Sequence, residues 1–448
     1  MVEGLVGRRA VVMGGSISGM LSARVLSDFF DDVIIIEADD PSYVKSVRKR
    51  IPQGQHSHVL LQAGQQVLDR LFPNFINELI EDGSVVADFT NDLEWFHFGK
   101  WKKRFESGIM GVQQTRPFLE WHIQRRLRDY SNIRIQNNSL VIGLLLSDDQ
   151  RTILGVKVRT PNSSGESDIQ CDFVVDATGY GSQSRKWMPD VASQSPLEAV
   201  KIDLFYATQF YQTDSSKLGW KNLMISAQLP DQPYAGVILS FEDNKFGVTL
   251  GGYLKQPPKT DEEFRLIAKA LPQQHIYEFL LNAKPISDLN TYRIPLQVRN
   301  RFDRSKSMPS HLVVLGDAYC RFDPLYGQGM SVAALEAELL GAELRNMKDR
   351  EELNTFHNRF YKKLVKLTQG PWDMAITESF RHPNINGRRP RDVKLMQWLT
   401  QKIYRASANQ QDVYLTLAQV MNLTESSTAF FRPAILPKLF VRVRNTDG

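Results

Sequence analysis

The pattern of hydrophobic and polar positions begins with a strand, a turn, a helix and a second strand. Residues 9–13 are mostly apolar, residues 14–19 form a Gly/Ser-rich turn, and apolar positions then recur at helical spacing to about residue 30. Residues 33–37 are nearly all apolar, which is typical of a parallel strand that is buried on both faces. The pattern therefore predicts a βαβ unit at the start of the chain.

The rest of the chain divides into a mixed part, a strand-rich part and a helical part. Short alternating runs between residues 201 and 253 predict a mostly antiparallel sheet. A buried-type strand over 312–315 is followed by a Gly-rich loop and a long helix over 330–344, and the chain then reads mainly helical to about residue 423. In the mixed part, the pattern predicts a helix over 117–130 and strands over 140–146, 154–160 and 172–176.

Composition excludes several classes of function. The 448 residues include 55 Lys and Arg against 50 Asp and Glu, and we interpret this small excess as spread along the chain, which gives no indication of nucleic-acid binding. Two cysteines, Cys171 and Cys320, indicate neither a metal site nor a disulfide framework. The N-terminus lacks a signal-peptide pattern, and no run approaches the ~20 apolar residues of a spanning helix, so we expect a cytoplasmic location.

The first motif with chemical meaning is the turn from Gly14 to Gly19 together with Glu37. A dinucleotide-binding turn uses a first glycine for a tight bend, a small residue where the pyrophosphate approaches, and a last glycine where helix and strand pack closely. Gly14 and Gly19 fit the first and last places, and Ser16 occupies the middle place, where glycine is usual. Glu37 ends the second strand, at the spacing expected of a carboxylate that binds a ribose. The helix start would bind the phosphates.

Two further motifs also follow buried strands. The first is Asp176-Ala177-Thr178-Gly179, where glycine lets the backbone pass close to a dinucleotide. The second runs from Gly316-Asp317-Ala318 to Gly327-Gln328-Gly329-Met330, and its glycines open the long helix. Asp317 can accept hydrogen bonds from ribose or ribityl hydroxyls, and the helix start can face the edge of a flavin that becomes negative on reduction. This third motif is the most specific feature of the chain.

With these motifs, residues 8–345 resemble the FAD-dependent monooxygenases of the aromatic-hydroxylase superfamily, the group A flavoprotein monooxygenases. Residues 52–58 (PQGQHSH) and 115–121 (TRPFLEW) are similar to a branch that includes polyene epoxidases and other tailoring oxygenases of secondary metabolism. The resemblance implies an α/β fold in which a discontinuous Rossmann-type FAD-binding domain, residues 1–190 and 290–345, carries an inserted antiparallel substrate sheet. We expect that sheet over residues 191–289 and a mainly helical C-terminal region over 346–448.

The resemblance also assigns residues to the cofactor. Glu37 would hold the adenosine ribose, Arg116 would reach the flavin or its phosphates, and Asp317 would bind the ribityl–pyrophosphate region. Arg50 and Gln53 fall where the family places flavin-contacting residues. The full predicted set of cofactor-binding residues is Gly14, Ser16, Ser18, Gly19, Glu37, Ala38, Arg50, Gln53, Arg116, Gly179, Asp317, Pro324, Gly327, Gln328, Gly329 and Met330.

The implied chemistry is hydroxylation or epoxidation of a small organic substrate, which could be aromatic, prenylated or a polyene. In this family it runs through a flavin C4a-hydroperoxide formed with O2, and the electrons come from NAD(P)H or from flavin reduced by a separate reductase. Aromatic residues of the inserted sheet are candidates for an apolar chamber wall that excludes water. These are Phe205, Tyr206, Phe210, Tyr211 and Tyr234. No catalytic side chain is assigned, although His56, His58 and His97 are possible bases.

Three alternatives to a monooxygenase stay open. A flavin halogenase would share the fold, but its Trp-x-Trp-x-Ile-Pro signature is absent here. A flavin reductase or dehydrogenase would not need O2. A non-catalytic protein that escorts a lipid or prenylated partner would not need FAD.

A separate alternative concerns residues 429–444, where phenylalanines and leucines mix with Lys and Arg. This stretch either docks on the domain or rests on a membrane surface.

Overall fold

The structure is a computed structural model that describes residues 6–40, 52–161 and 165–441. Arg50, one of the predicted flavin-contacting residues, lies outside the described residues. Within them, a parallel sheet, a large mainly antiparallel sheet and a set of C-terminal helices make up the fold, so the predicted α/β class is confirmed.

The helices and strands have the following bounds. The helices are α1 (Ile17–Leu26), α2 (Gln62–Leu71), α3 (Phe75–Glu81), α4 (Arg116–Leu127), α5 (Ser184–Trp187), α6 (Pro189–Gln194), α7 (Asp261–Lys269), α8 (His275–Asn282), α9 (Gly329–Arg345), α10 (Leu353–Ser379), α11 (Val393–Ala406) and α12 (Gln411–Met421). The strands are β1 (Gly7–Met13), β2 (Phe30–Ile36), β3 (Val85–Asp88), β4 (Leu93–His97), β5 (Lys100–Trp101), β6 (Met110–Gln113), β7 (Ile133–Gln136), β8 (Leu140–Leu146), β9 (Ile153–Arg159), β10 (Glu166–Gln170), β11 (Phe173–Asp176), β12 (Leu197–Gln212), β13 (Asn222–Ile225), β14 (Tyr234–Phe241), β15 (Lys245–Tyr253), β16 (Lys284–Pro285), β17 (Asn290–Asn300), β18 (Leu312–Val314), β19 (Cys320–Arg321) and β20 (Asn386–Gly387).

The parallel sheet has the strand order β18-β11-β1-β2-β7. Its central strand, β1, pairs with β2 on one side and β11 on the other, and four of its residues, Ala10 to Met13, are completely buried. Helices α1 and α9 pack against each other beside this sheet. Burial on both faces explains why these strands read as continuous apolar runs in the sequence.

The second sheet has the strand order β19-β17-β12-β15-β14-β13-β4-β5, with β16 and β20 also paired to β12. Most of its strand pairs are antiparallel, and β13 pairs with β4 in parallel. Strands β4 and β5 come from residues 93–101, far outside the predicted inserted segment 191–289. The second sheet therefore draws on chain from both sides of the predicted domain boundaries.

The C-terminal helices close over the second sheet and build a hydrophobic core of their own. This core joins Trp95 of β4 to Tyr404 of α11 and to Tyr414 of α12. The helical reading of the region beyond residue 346 agrees with α10, α11 and α12. Short 3₁₀ segments over Ser427–Phe431 and Leu436–Phe440 then lie against the end of this core.

Most elements that the hydrophobic pattern predicts are present within a few residues. The pattern missed the strands β3 to β7, β10, β16, β17, β19 and β20 and the helices α2, α3 and α5 to α8. In the described part of the chain, no helix combines the length and the apolar character that a membrane crossing requires. Those residues also contain no group of three His, Cys, Asp or Glu side chains placed to hold a metal ion.

Candidate functional site

The three sequence motifs meet at one edge of the parallel sheet. Met13, the last residue of β1, pairs with Asp176 of β11 and with Ile36 of β2. Asp176 in turn pairs with Val314 of β18. Because the carboxyl ends of parallel strands lie at the same edge, the turns that follow these strands are neighbours, which is where open α/β sheets bind ligands.

The first turn depends on two close backbone approaches. Gly14 has a φ of +96°, and a Cβ there would lie 2.7 Å from the carbonyl oxygen of Ala177 in the second motif. A Cβ on Gly19 would lie 1.9 Å from the carbonyl oxygen of Gly14. The predicted roles of the first and last glycines, a tight bend and close helix packing, are therefore what the structure shows.

Glu37 reaches back to this turn from the end of β2. Its side chain is buried, and its carboxylate accepts the N–H of Gly15 at 2.6 Å and the N–H of Asp39 at 2.8 Å. These contacts hold the carboxylate in the wall of the cavity described below. A carboxylate fixed at this place can also accept a hydrogen bond from a ribose hydroxyl, because each of its oxygens has two lone pairs.

Ser16 precedes helix α1 but does not cap it with its side chain. Its hydroxyl donates instead to Glu120 at 3.0 Å and accepts from the Arg116 guanidinium at 2.9 Å. Arg116 also forms an ion pair with Glu120 at 3.0 Å and donates to the Gln53 side chain at 3.2 Å. The predicted residues Ser16, Gln53 and Arg116 are therefore joined in one polar network beside the start of α1.

The second motif is shaped by the completely buried carboxylate of Asp176. It accepts the N–H and the hydroxyl of Thr178, at 2.9 and 2.5 Å, and the hydroxyls of Ser182 and Ser184. These four bonds fold residues 177–184 into a tight turn that brings Gly179 to the cavity wall.

The third motif carries Asp317 on a short 3₁₀ turn, Gly316–Ala318. The N–H of Gly316 donates to Glu336 of α9 at 2.6 Å, so the long helix supports this turn from within the protein. Desolvation in the cavity wall raises the pKa of Asp317, while Arg321 and Arg116 act in the opposite direction. Arg321 itself lies over the ring of Tyr180, 3.6 Å from its centroid.

The glycine-rich loop before α9 leaves open space. Asp323 is buried and accepts the Leu325 N–H at 3.0 Å and the Tyr253 hydroxyl at 2.6 Å, which fixes the loop. A Cβ on Gly327 would meet only Val59, at 3.8 Å, and a Cβ on Gly329 would meet nothing within 4 Å. Gln328, the N-cap residue of α9, makes no side-chain cap bond to the helix.

All of these features surround one cavity of about 800 Å³. Gly19 and Gln328 lie behind its wall, Gly19 against Gly14 and Gln328 with its amide 3.8 Å from the Met374 sulfur. The predicted residues that line the cavity are Gly14, Ser16, Ser18, Glu37, Ala38, Gln53, Arg116, Gly179, Asp317, Pro324, Gly327, Gly329 and Met330.

The cavity continues between the second sheet and the C-terminal helices, and this extension is called the chamber below. Its sheet side includes Trp95, whose indole N–H donates to the Ser226 hydroxyl at 2.9 Å. Its helical side includes Tyr404 and the ion pair of Arg381 with Glu378, which are 2.6 Å apart. No local pattern in the sequence predicts these residues, because contacts between distant segments create the chamber.

The chamber wall differs from the sequence prediction. Tyr206 lines the cavity, but Phe205, Tyr211 and Tyr234 pack in a separate core on the side of α7 and α8. Phe210 packs against the ring of Phe241. Side chains alternate between the two faces of a strand, so a run of aromatic residues on β12 cannot line one chamber throughout.

The three histidines that we considered as bases occupy different places. His56 is buried and bonds to the Thr208 hydroxyl at 2.9 Å, and burial lowers its pKa to about 4. His58 lies in the cavity wall near Arg116, and its pKa is lowered to about 3, chiefly by desolvation. His97 lines the chamber, and desolvation together with Lys102 and Arg381 holds its pKa well below the usual range. All three imidazoles are therefore neutral at neutral pH.

The residues present fit a bound dinucleotide. Helices α1 and α9 both begin at the cavity without a side-chain cap, so the partial positive charge of each helix start is available to an anion in the cavity. The hydroxyl of Ser18, in the first turn of α1, is buried without a hydrogen-bond partner. Carboxylates that suit ribose and ribityl hydroxyls, Glu37 and Asp317, lie in the same wall.

Comparison with known proteins identifies the fold and the family. No protein-family profile matches the chain. The chain is 30% identical over 387 residues to protein Rv3254 of Mycobacterium tuberculosis, and the match covers 83% of this chain and 81% of that protein. Among the solved structures that are similar in fold are a monooxygenase and a brominase. The p-nitrophenol 4-monooxygenase PnpA of Pseudomonas putida DLL-E4 aligns over 98% of this chain and 100% of its own, with a TM-score of 0.64 and 15% identity. The flavin-dependent brominase Bmp2 aligns over 96% of this chain and 98% of its own, with a TM-score of 0.64 and 13% identity.

The fold that the predicted resemblance implies is confirmed, whereas the polyene-epoxidase branch stays a prediction. Structural likeness at 13–15% identity establishes the fold, and the sequence match establishes a nearer relationship. The chain shares its fold with a p-nitrophenol 4-monooxygenase and belongs to the same family as protein Rv3254 of Mycobacterium tuberculosis.

Proposed function

We propose that this chain is an FAD-dependent monooxygenase that hydroxylates or epoxidises a small organic substrate. One observation carries the proposal: two helix starts and two carboxylates converge on a cavity that continues into the chamber. The first part suits a dinucleotide, and the second part suits a substrate held next to it. The fold shared with PnpA, a p-nitrophenol 4-monooxygenase, supports the same conclusion.

Each part of FAD has residues that suit it. Glu37 would accept hydrogen bonds from the adenosine ribose. The start of α1 would bind the pyrophosphate, with Arg116 close to it. Asp317 would accept ribityl hydroxyls. The open space beside Gly327 and Gly329 would take the flavin ring.

Reduced FAD, when bound, would supply the activation of O2 from which one oxygen atom passes to the substrate. The chain's own residues exclude water and position the substrate. Trp95 and Met224 line the chamber, together with the Arg381–Glu378 ion pair. The electrons would come from NAD(P)H or from flavin reduced by a separate reductase.

FAD binding tests the first half of the proposal. The purified chain should bind FAD with one-to-one stoichiometry, as measured by quenching of flavin fluorescence. Asp317→Ala removes an acceptor for a ligand hydroxyl, and we expect the affinity to fall by about one to two orders of magnitude, because such bonds contribute ~1.5–3 kcal/mol. Asp231→Ala, at an exposed position, is the matched control and should bind FAD like the wild type. Equal affinity for all three proteins would contradict the assignment of the Asp317 turn.

Isotope labelling tests the second half. The reduced holoenzyme is mixed with ¹⁸O2 and a panel of aromatic, prenylated and polyene compounds, and products are analysed by mass spectrometry. A monooxygenase incorporates one labelled oxygen atom. A product that contains halogen and forms only when halide is added would indicate a halogenase, and flavin turnover without a labelled product would indicate a reductase. A chain that binds no FAD at all would favour an escort protein.

A further inference from the structure

The outer face of helix α11 and the end of the described chain expose large apolar side chains. Leu395 is 62% exposed and Trp398 is 46% exposed, three residues apart on the helix. Phe440 and Val441 are 47% and 54% exposed, and the Phe440 ring lies 5.8 Å from the ring of Trp398. These four residues are called the C-terminal patch below. Isolated exposed apolar residues are ordinary, but a contiguous group that contains two aromatic rings indicates a contact surface.

The inner face of α11 packs against the rest of the protein. Ile403 and Tyr404 are buried in the core that also contains Trp95. Tyr404 in addition lines the chamber. The helix is therefore fixed by its inner face, and the apolar side chains of its outer face contribute nothing to that core. The patch lies one helix thickness, about 10 Å, from the chamber.

Basic residues accompany the patch. Lys394 and Arg405 are exposed on the same helix, and the Lys402 ammonium lies 5.9 Å from the Trp398 ring centroid. Residues 388–448 contain ten Lys and Arg and four Asp and Glu, whereas the remaining 387 residues contain 45 and 46, respectively. The C-terminal region therefore carries a local excess of six basic residues over acidic ones.

We infer that the C-terminal patch binds the surface of an anionic lipid bilayer, with α11 lying in the plane of the headgroups. Trp and Phe side chains favour the boundary between headgroups and acyl chains, and Lys and Arg are attracted to anionic lipids. A second copy of the chain is a poorer occupant. A twofold contact would set Lys394, Lys402 and Arg405 of one copy against the same positive charges of the other.

Vesicle sedimentation tests the inference. The full-length chain is mixed with vesicles of phosphatidylcholine alone or with one third phosphatidylglycerol, and the bound fraction is measured in the pellet. We expect binding to the anionic vesicles that weakens when sodium chloride is raised, and little binding to the neutral ones. Leu395→Asn with Phe440→Asn should lower the partition coefficient about tenfold or more, and so should Lys394→Gln with Lys402→Gln and Arg405→Gln.

Matched controls separate the patch from general surface effects. Leu266→Asn with Leu281→Asn changes two leucines that are 58% and 57% exposed on α7 and α8. Lys217→Gln with Lys255→Gln and Lys269→Gln removes three exposed charges elsewhere. Both controls should bind vesicles like the wild type, and all variants should keep the wild-type melting temperature, because every changed side chain is at least partly exposed.

Three results would overturn the inference. The wild type could stay in the supernatant with anionic vesicles, or the patch variants could bind as well as their controls. Sedimentation velocity supplies the third. If the wild type self-associates without lipid and the patch variants do not, the patch is an interface between copies of the chain.

Discussion

The carboxyl group of Glu336 accepts the backbone N–H of Gly316 at 2.6 Å, and its second oxygen is buried without a partner. Glu336 is completely buried in α9, and Gly316 begins the turn that carries Asp317. One side chain behind the cavity wall thus holds the position of a residue that faces the cavity. Desolvation, together with the nearby Asp317 carboxyl, raises the pKa of Glu336 to about 8.

Glu336→Gln should change how stability depends on pH. In the unfolded chain Glu336 ionises near its ordinary value of 4.5, but in the folded protein it keeps its proton up to about pH 8. The wild-type free energy of unfolding therefore carries a contribution that falls as pH rises between these two values. The glutamine variant lacks this contribution, so its stability relative to the wild type should rise across the window, by ~1.4 kcal/mol for each unit of pKa difference.

Urea unfolding of the FAD-free proteins at several pH values measures this difference. Glu338→Gln, on the same helix but partly exposed beside Arg70, is the control and should follow the wild-type curve. A constant offset between the wild type and Glu336→Gln at every pH would contradict the raised pKa.

Arg116 should contribute to FAD affinity through geometry as well as charge. Its guanidinium binds Ser16, Gln53 and Glu120 at the same time, which a lysine ammonium cannot reproduce from the same position. We expect Arg116→Lys to lose about tenfold or more in FAD affinity and Arg116→Ala to lose more. Fluorescence titration measures both, and Arg134→Lys, half-exposed on β7, is the control. Wild-type affinity for the lysine variant would mean that only charge is needed.

The same substitution to alanine should affect stability at one glycine and FAD affinity at another. Gly19→Ala places a Cβ 1.9 Å from the Gly14 carbonyl oxygen, so it should lower the melting temperature of the FAD-free protein. Gly329→Ala meets no atom within 4 Å, so the melting temperature should be unchanged while FAD affinity falls, because the methyl group enters the space assigned to the cofactor. Undiminished FAD binding by Gly329→Ala would place the flavin ring elsewhere.

Lys102 is a buried lysine next to the chamber wall, and its positive charge should lower the stability of the folded protein. Its ammonium bonds to Ser407 and lies 4.4 Å from the Trp95 ring centroid, and burial lowers its pKa to about 7. As pH falls from about 10 to about 7, the unfolded chain binds a proton that the folded protein does not, so wild-type stability falls in this window. Lys102→Met lacks this dependence. Its free energy of unfolding relative to the wild type should therefore rise as pH falls, and parallel curves in urea unfolding would refute the shift.

The half of the site that we propose for the cofactor could be predicted from the sequence because its signals are local. Gly14 to Gly19 and Gly327 to Met330 are short runs next to buried strands or long helices, and each run needs only its own neighbours to be recognised. Ser16 departs from the usual glycine, and the structure shows its use: the hydroxyl joins Arg116 to the turn.

The chamber could not be read in the same way. Trp95 and Ser226 are bonded across a parallel pairing of β4 with β13, and nothing in either segment indicates the other. Arg381 and Tyr404 reach the chamber only because α10 and α11 fold back over the second sheet. Glu336 was within a predicted helix, but its bond to Gly316 depends on packing that periodicity does not describe.

The convergence of Gly14, Ala177 and Gly316 at one sheet edge also affects the order in which the chain folds during synthesis. Contacts between such distant positions form slowly, because a long loop must close before they contribute to stability. During synthesis, the first turn leaves the ribosome long before α9 exists. A nascent chain therefore lacks a complete cavity until most of its length has emerged, and the proposed binding of FAD would belong to the final stage of folding.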